Sequence, residues 1–227
     1  MAFCTRALPA GRAFSRRLYL ATAKAKKQHH LIRVTKEMYE DLLMWKYFVE
    51  QFNGNSFILD DWISNCDLEL YTDSAGWTSK GCGAYCKNKW AYLQLPAEWE
   101  STDLLKDITF LEIILIALSI FLWHKLFYKK KIVYYIDNMA VVSILNSKTQ
   151  KSTRVMVLLR FIVYWSLVEH FHLKAMHISS FDNAIADSLS RGQFQRFRVL
   201  ARSAELKPMG ILEPFKTEFD SLIYRFI

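Results

Sequence analysis

Four acidic residues stand at the ends of expected helices and strands. Asp73 ends a strand in YTDS, Glu112 lies in the first turns of an apolar helix, Asp137 ends a strand in YYIDN, and Asp187 opens the last helix. Glu112 and Asp137 are flanked by apolar residues, where a lone charge is costly unless it is paired or metal-bound. Each acid alone also fits an ordinary structural role, as a turn residue or a helix-terminal charge.

Taken together, the four acids predict a metal site. Gathered carboxylates repel one another, and divalent cations relieve that repulsion. A set of oxygen ligands without cysteine suits Mg²⁺ or Mn²⁺ better than Zn²⁺. Two such ions, about 3.5–4 Å apart, hold the attacking and leaving oxygens of a phosphodiester displacement. The acids therefore point to the chemistry of a nuclease.

The segment HISSFDNAIADSLSR adds a second pattern around the last of these acids. His177, Asn183 and Asp187 stand at offsets of zero, six and ten, across a loop and the start of a helix. On their own, Asn183 and Asp187 also fit a capped helix with ordinary surface residues. The remaining elements must decide between the two interpretations.

The pattern of elements predicts a mixed α/β fold. Three short strands form an antiparallel meander, and alternating helices and strands follow in the order βββαβααβα. The expected strands of the meander cover residues 68–73, 76–86 and 89–95, and DNAIADSLSRGQFQRF forms one closing helix. If the first and fourth strands are parallel neighbours, Asp73 and Asp137 come out at the same edge of the sheet.

The N-terminal third precedes this pattern. Apolar residues spaced by three and four predict a helix capped by Thr35 and stopped at Asn53-Gly54, and NSFILDDWIS then follows as a linker. Further on, the apolar run ILIALSIFLW is shorter than the roughly twenty residues that a membrane span needs. We therefore expect a buried helix there.

The basic charge is concentrated at the N-terminus. Residues 1 to 36 carry nine lysines and arginines and no acid, whereas the rest of the chain sums to about −1, within a formal net charge of +8. Such an arm attracts phosphate backbones. An Arg-rich, acid-free start is also typical of a mitochondrial presequence, so composition alone leaves both interpretations open.

The four cysteines form no zinc-type pattern. Cys82 and Cys86 lie four residues apart in a strand pattern and hence on one face, while Cys4 and Cys66 stand apart from them. We expect the pair to be buried free thiols, which fits a reducing compartment.

Four segments in order resemble the RNase H domain of a reverse transcriptase, most closely that of DIRS-type (tyrosine-recombinase) retrotransposons. They are YTDSAGWTSKGCGAY, LEIILIAL, YYIDNMAVV and HISSFDNAIADSLSR, and the resemblance covers about residues 68 to 191. It implies an RNase H-like α/β fold with a five-stranded mixed sheet flanked by helices and an N-terminal helical extension. It also implies two Mg²⁺ or Mn²⁺ ions and hydrolysis of the RNA strand of RNA–DNA hybrids.

The resemblance also assigns roles to individual residues. The catalytic, metal-binding carboxylates would be Asp73, Glu112, Asp137 and Asp187. His177 would move a proton or help the product leave, and Asn183 would hold its loop. Contacts with nucleic acid are expected from Ser74, Asn138, Asn183, Arg191, Arg16 and Arg17.

Flanking segments resemble neighbouring parts of the same elements. GRAFSRRLY, HHLIRVTKE and DLLMWKYFVEQFNG are similar to the thumb-like region between polymerase and RNase H domains, which favours nucleic-acid binding by the arm. We expect an arm and helical segment at 1–64, an RNase H-like domain at 65–195 and a tail at 196–227. Expected partners are an RNA–DNA hybrid and the polymerase region of a larger reverse transcriptase, with no membrane. The expected location is the nucleus or cytoplasm, and the alternative is the mitochondrion.

The sequence departs from the family in three places. Its Asp60-Asp61 pair lacks the aromatic-x-Asp-Asp hairpin, so we do not expect the chain to polymerise alone. The loop NSKTQKS lacks the usual glycines, and HISS stands where the family has His-Pro-Gly, which bears on substrate grip and turnover. Two alternatives follow: a catalytically weak or inactive nucleic-acid-binding remnant, and an RNase H-fold nuclease that cleaves DNA.

Overall fold

The computed structural model of the 227-residue chain divides into two compact units, residues 1–58 and 59–227. The structure describes residues 9–25, 27, 29–51, 62–63, 68–76 and 81–210. The predicted stop at Asn53-Gly54, the Asp60-Asp61 pair, Cys4 and Cys66 lie outside the described residues. Helices and strands alternate through the second unit, so the predicted mixed α/β class is confirmed.

The first unit contains helices, and they include Arg12, Arg16, Arg17, Lys36 and Lys46 among its basic residues. A 3₁₀ helix at Pro9–Phe14 leads into α1 (Arg16–Ala23), and α2 covers Lys36–Gln51. The Thr35 hydroxyl accepts from the Met38 amide at 3.3 Å, as predicted for the start of α2. The buried apolar side chains of this unit come from the 3₁₀ helix and from α2, and they are Ala13, Phe14, Met38, Trp45 and Phe48. The described part of the basic arm is therefore folded.

The second unit begins with the predicted antiparallel meander, which is confirmed with shorter strands. Strands β2 (Leu70–Ser74), β3 (Gly81–Cys86) and β4 (Lys89–Gln94) form one three-stranded sheet in the order β2-β3-β4, after a short β1 (Trp62–Ile63). Asp73 pairs with Gly83 across the sheet. Cys82 and Cys86 are buried free thiols, as predicted.

A second three-stranded sheet is parallel, with the order β1-β5-β6. Strand β5 covers Lys131–Ile136 and β6 covers His172–His177, and Ile136 is level with His177. The expectation of a linker at NSFILDDWIS was wrong at Trp62 and Ile63, because these residues add a short third strand beside β5. The extended backbone of two residues is enough for pairing, but it is too short for a periodic pattern.

The predicted single five-stranded sheet is not confirmed among the described strands. Strands β2 and β5, expected as hydrogen-bonded parallel neighbours, belong to different sheets. Their side chains meet instead, because Tyr134 Oη donates to Thr72 Oγ1 at 3.2 Å and shares a 2.8 Å hydrogen bond with Ser119 Oγ. Hydrogen bonds between buried side chains therefore join β2 and β5, which are not paired through their backbones among the described strands.

Helix α3 (Ile108–Phe127) lies in the core of the second unit. Asp107 caps it by accepting from the Phe110 amide at 3.0 Å. Its length and composition would suffice to cross a membrane, but 72% of its most apolar window is buried within the protein. The prediction of a buried helix is confirmed.

The remaining α-helices of the described residues are α4 (Met139–Ser147), α5 (Thr153–Val168), α6 (Ala184–Ser190) and α7 (Phe194–Leu200), and two 3₁₀ helices at Ala97–Ser101 and Leu104–Lys106 precede α3. The prediction of one closing helix was wrong, because the chain breaks between α6 and α7. Gly192 has a φ of +67°, a left-handed conformation that ends a helix and that glycine adopts without steric cost. This turn sends α7 back over β3 and β4, where Phe197 packs against Tyr85 and Trp90.

Candidate metal-binding site

Asp73 lies near the end of β2, where burial raises the pKa of its carboxyl group. The hydroxyl of Ser190 in α6 donates a hydrogen bond to Asp73 Oδ2 and opposes that shift. The negative charges of Asp137 and Asp187 raise the pKa further. Asp73, the first of the four predicted metal ligands, is therefore close enough to Asp137 and Asp187 for their charges to raise its pKa.

Glu112 is the fifth residue of α3 and is the most deeply buried of the four acids, with 9% of its surface exposed. Its Oε1 accepts from Asn138 Nδ2 at 3.1 Å, but its Oε2 is buried with no hydrogen-bond partner among the described residues. Burial raises the pKa of Glu112 to about 8, and the charges of Asp137 and Asp73 add to the shift. Such an orphaned carboxylate oxygen is available to a cation.

Asp137 directly follows β5, and Asn138 begins the next helix. The Asn138 side chain caps α4 by accepting from the amides of Ala140 and Val141, while its Nδ2 holds Glu112. Asp137 Oδ2 accepts from the Ser180 hydroxyl at 3.2 Å. Asn138, which was expected to contact nucleic acid, therefore also orients a neighbouring acid.

Asp187 reaches the site because α6 packs very closely against β3. A Cβ atom on Gly83 would lie 2.3 Å from Leu189 Cβ, and one on Gly81 would lie 2.4 Å from the Ser190 carbonyl oxygen. Any larger residue at either position would push α6 away from the strand. The sequence pattern assigned no role to these glycines of GCGAY, and the structure shows that they admit the helix that carries Asp187.

These four acids form what we call the carboxylate cluster: Asp73, Glu112, Asp137 and Asp187. Their side chains come from β2, α3, the end of β5 and α6. The charges of Asp137 and Asp187 raise the pKa of Asp73. The charges of Asp137 and Asp73 raise the pKa of Glu112. Within the described ranges, however, no group of three or more His, Cys, Asp or Glu side chains is close enough to hold a metal ion. The charges of neighbouring acids therefore act on Asp73 and Glu112, without the four side chains forming a ready-made ion site among the described residues.

His177 ends β6 with its side chain exposed, and its Cα pairs with that of Ile136, the residue before Asp137. The loop that follows is fixed at two points. Ser180 donates to Asp137, and Asn183 Nδ2 donates to the Thr72 carbonyl oxygen at 3.0 Å. Asn183 is buried and its Oδ1 has no hydrogen-bond partner among the described residues. Asn183 therefore fastens the loop to the core rather than facing solvent.

The remaining residues expected to contact nucleic acid have protein partners. Ser74 is buried and its Oγ lies 3.3 Å from Cys82 Sγ. Arg17 NH1 lies 3.3 Å from Asp41 Oδ1, within the first unit, and Arg16 belongs to the same helix. Arg191 Nε donates to Asp187 Oδ1 at 2.5 Å.

The sequence patterns missed three polar contributors to the site. Ser190 and Ser180 bind Asp73 and Asp137 respectively, and Arg196 NH1 donates to Asp187 Oδ2 at 3.0 Å. The serines lie inside the HISSFDNAIADSLSR segment, but a serine has no distinctive spacing. Arg196 lies beyond Gly192, and only the turn at that glycine brings it back to the cluster.

A comparison of the chain with protein-family models found no match. A comparison with curated protein sequences found no significant match either.

Proposed function

We propose that the chain is the ribonuclease H of a retroelement reverse transcriptase, which hydrolyses the RNA strand of RNA–DNA hybrids with two Mg²⁺ or Mn²⁺ ions. One observation carries the proposal: the charges of acids from four separate elements raise the pKa values of Asp73 and Glu112, and Glu112 is buried with one oxygen that has no hydrogen-bond partner among the described residues. A fold rarely gathers like charges without a counter-ion, because each burial costs free energy. Carboxyl groups with such raised pKa values cluster at functional sites.

The donor set of the carboxylate cluster fits hard divalent cations. Every side chain in it offers oxygen, and the buried Glu112 Oε2 has an unused acceptor. Asp73, Glu112, Asp137 and Asp187 would hold the ions. Bound there, the ions would supply Lewis-acid activation of water and neutralise charge on the phosphate. The side chains would have to move closer together to share an ion, since no three of them form such a group among the described residues.

The chain's own polar residues would support that chemistry. Asn138 holds Glu112 Oε1, and Ser190 holds Asp73, so that each acid keeps one oxygen fixed. His177 is exposed at the end of β6, level with the residue before Asp137, and would take or deliver a proton. Asn183 would keep the loop between them in place through its bond to the Thr72 carbonyl.

The same proposal extends to partners and setting. The chain would act with the polymerase region of a larger reverse transcriptase and would bind the RNA–DNA hybrid. It would do so in the nucleus or cytoplasm, with no membrane as a partner. Lysines and arginines of the first unit would supply contacts with phosphates.

A second candidate is a nucleic-acid-binding remnant of such a domain that no longer cleaves. One observation favours it: both oxygens of Asp187 are bound to arginines. On this view the guanidinium groups have replaced the cations, and the fold persists for binding alone.

Cleavage of defined substrates separates these candidates. The full chain is incubated with end-labelled RNA–DNA hybrid, duplex DNA or duplex RNA, with Mg²⁺ or with a chelator. The proposal requires Mg²⁺-dependent cleavage of the RNA strand in the hybrid alone, and Asp137→Asn should abolish it while hybrid binding persists. Binding without cleavage in any metal would support the remnant, and cleavage of duplex DNA would indicate a DNA nuclease of the same fold.

A further inference from the structure

Arg196 lies outside the four motifs, yet its side chain binds one acid of the carboxylate cluster. Its NH1 donates to Asp187 Oδ2 at 3.0 Å, while Arg191 Nε donates to Asp187 Oδ1 at 2.5 Å. Both oxygens of Asp187 thus accept from guanidinium groups of the same chain. The side chains of Arg196 and Asp187 are 49% and 24% exposed, so water and ions have access to the pair.

The two arginines are held by different parts of the fold. Arg191 follows Asp187 by four residues in the same stretch of chain, so α6 itself supplies that ion pair. Arg196 belongs to α7, which is fixed by the packing of Phe197 against Tyr85 and Trp90. Gln193 Oε1 accepts from the same NH1 at 3.1 Å. The docking of α7 therefore brings Arg196 to the cluster from outside α6.

We propose that Arg196 couples metal binding to nucleic-acid binding: it is one of the two counter-ions of Asp187 in the metal-free protein, and it binds a substrate phosphate when a divalent cation takes Asp187. This inference rests on the proposed function. A guanidinium and a divalent cation repel each other at one carboxylate, so each weakens the binding of the other. A phosphate offers the displaced guanidinium the same charge-assisted, bidentate hydrogen bonds as a carboxylate.

The exchange makes the two ligands cooperative. A cation at Asp187 frees Arg196 for phosphate, and a phosphate at Arg196 frees Asp187 for the cation. Because coupling between two binding sites is reciprocal, each ligand must raise the affinity for the other by the same factor. The chain would then bind metal weakly until nucleic acid is present.

The first test measures Mg²⁺ binding by calorimetry on the full chain without nucleic acid. Arg196→Gln removes the competing charge and should tighten Mg²⁺ binding by about two- to fivefold, in keeping with the modest strength of exposed ion pairs. Arg202→Gln is the matched control, because it makes the same charge change at an exposed residue of the same C-terminal segment. It should bind Mg²⁺ as the parent does.

The second test measures coupling by fluorescence anisotropy of a labelled RNA–DNA hybrid, with and without Mg²⁺. The titrations are made in the cold, and a gel verifies that the RNA remains intact. In the parent, Mg²⁺ should raise hybrid affinity, and Arg196→Gln should lose most of that gain while Arg202→Gln keeps it.

The outcomes separate the inference from the function on which it rests. If the parent binds Mg²⁺ and cleaves the hybrid but Arg196→Gln leaves both Mg²⁺ affinity and coupling unchanged, the inference fails and the function stands. Equal effects from Arg202→Gln would show general electrostatics and also overturn it. A parent that binds neither Mg²⁺ nor hybrid overturns both.

Discussion

The hydroxyl of Ser190 donates a hydrogen bond to Asp73 Oδ2 and ties the end of α6 to the end of β2. The bond forms because the backbone of α6 lies almost against β3, at Gly81 and Gly83. It sets the distance between the two acids that these elements carry, Asp73 and Asp187. The geometry of the carboxylate cluster therefore depends on Gly81 and Gly83, which have no reactive or ligand-binding side chain.

Replacing Gly83 by alanine tests this dependence. The added Cβ would lie 2.3 Å from Leu189 Cβ and 2.9 Å from the Ser190 amide nitrogen. We expect the free energy of unfolding to fall by about 1–3 kcal/mol, the usual cost of overpacking, and Mg²⁺ binding to weaken as α6 shifts. Chemical denaturation and calorimetry measure the two effects. Gly210→Ala is the control, because a Cβ there meets no atom within 4 Å, and an equal loss in both variants would contradict the close-packing argument.

The buried Glu112 makes stability depend on pH. Its pKa is raised from 4.5 to about 8 in the folded chain, chiefly by burial. The folded state thus holds a proton that the unfolded state has lost between these values, so the free energy of unfolding should fall as pH rises through this window. The slope from this group is at most about 1.4 kcal/mol per pH unit. Above pH 8 the loss is complete.

Glu112→Gln isolates this contribution. Denaturation midpoints measured from pH 4 to 9 should decline less in the variant than in the parent, because glutamine does not titrate. Glu98→Gln, at an exposed acid, should follow the parent. Mg²⁺ should restore stability to the parent above pH 8 and do so much less in Glu112→Gln. Parallel pH profiles for parent and Glu112→Gln would show that the acid is not buried in this way.

His177 should affect rate rather than metal binding. It is exposed at the end of β6, level with Ile136, where it can exchange protons with solvent. His177→Ala should lower hybrid cleavage by roughly ten- to a thousandfold, around the range usual for acid–base groups, with Mg²⁺ dependence little changed. Single-turnover cleavage from pH 6 to 9 measures it, with His172→Ala at the other end of the strand as control. Cleavage at the parent rate at every pH would make His177 a bystander.

Basic residues of the first unit should contribute affinity for nucleic acid. Deleting residues 1 to 30 would also remove Phe14 and Ala13 from the core of this unit, so substitution of exposed lysines is the cleaner test. Lys24→Gln with Lys27→Gln should reduce the slope of log affinity against log salt by up to about 2, roughly one per phosphate contact. Anisotropy titrations at several salt concentrations measure the slope. Lys89→Gln with Lys125→Gln is the matched control, and equal slopes in both double variants would refute a specific role for this unit.

Local patterns were sufficient for most of the elements. The periodicity of apolar residues predicted α2, a continuous apolar run predicted the buried helix α3, and short strand-like runs between polar turns predicted the antiparallel meander. It did not predict β1, since two residues carry no period. It also ran α6 and α7 together, because the residues on either side of Gly192 both favour helix and the break is decided by one backbone angle.

The sequence by itself determined which acids to examine, since Glu112 and Asp137 stand in apolar surroundings that only a paired or metal-bound charge tolerates. It also determined that Asn183 and Asp187 share the start of a helix. Only the tertiary structure decided how these residues meet. Two sheets replace one, a glycine pair admits α6, and α7 returns an arginine to Asp187. Such contacts join residues far apart in the chain, and their free energies depend on packing that no local pattern encodes.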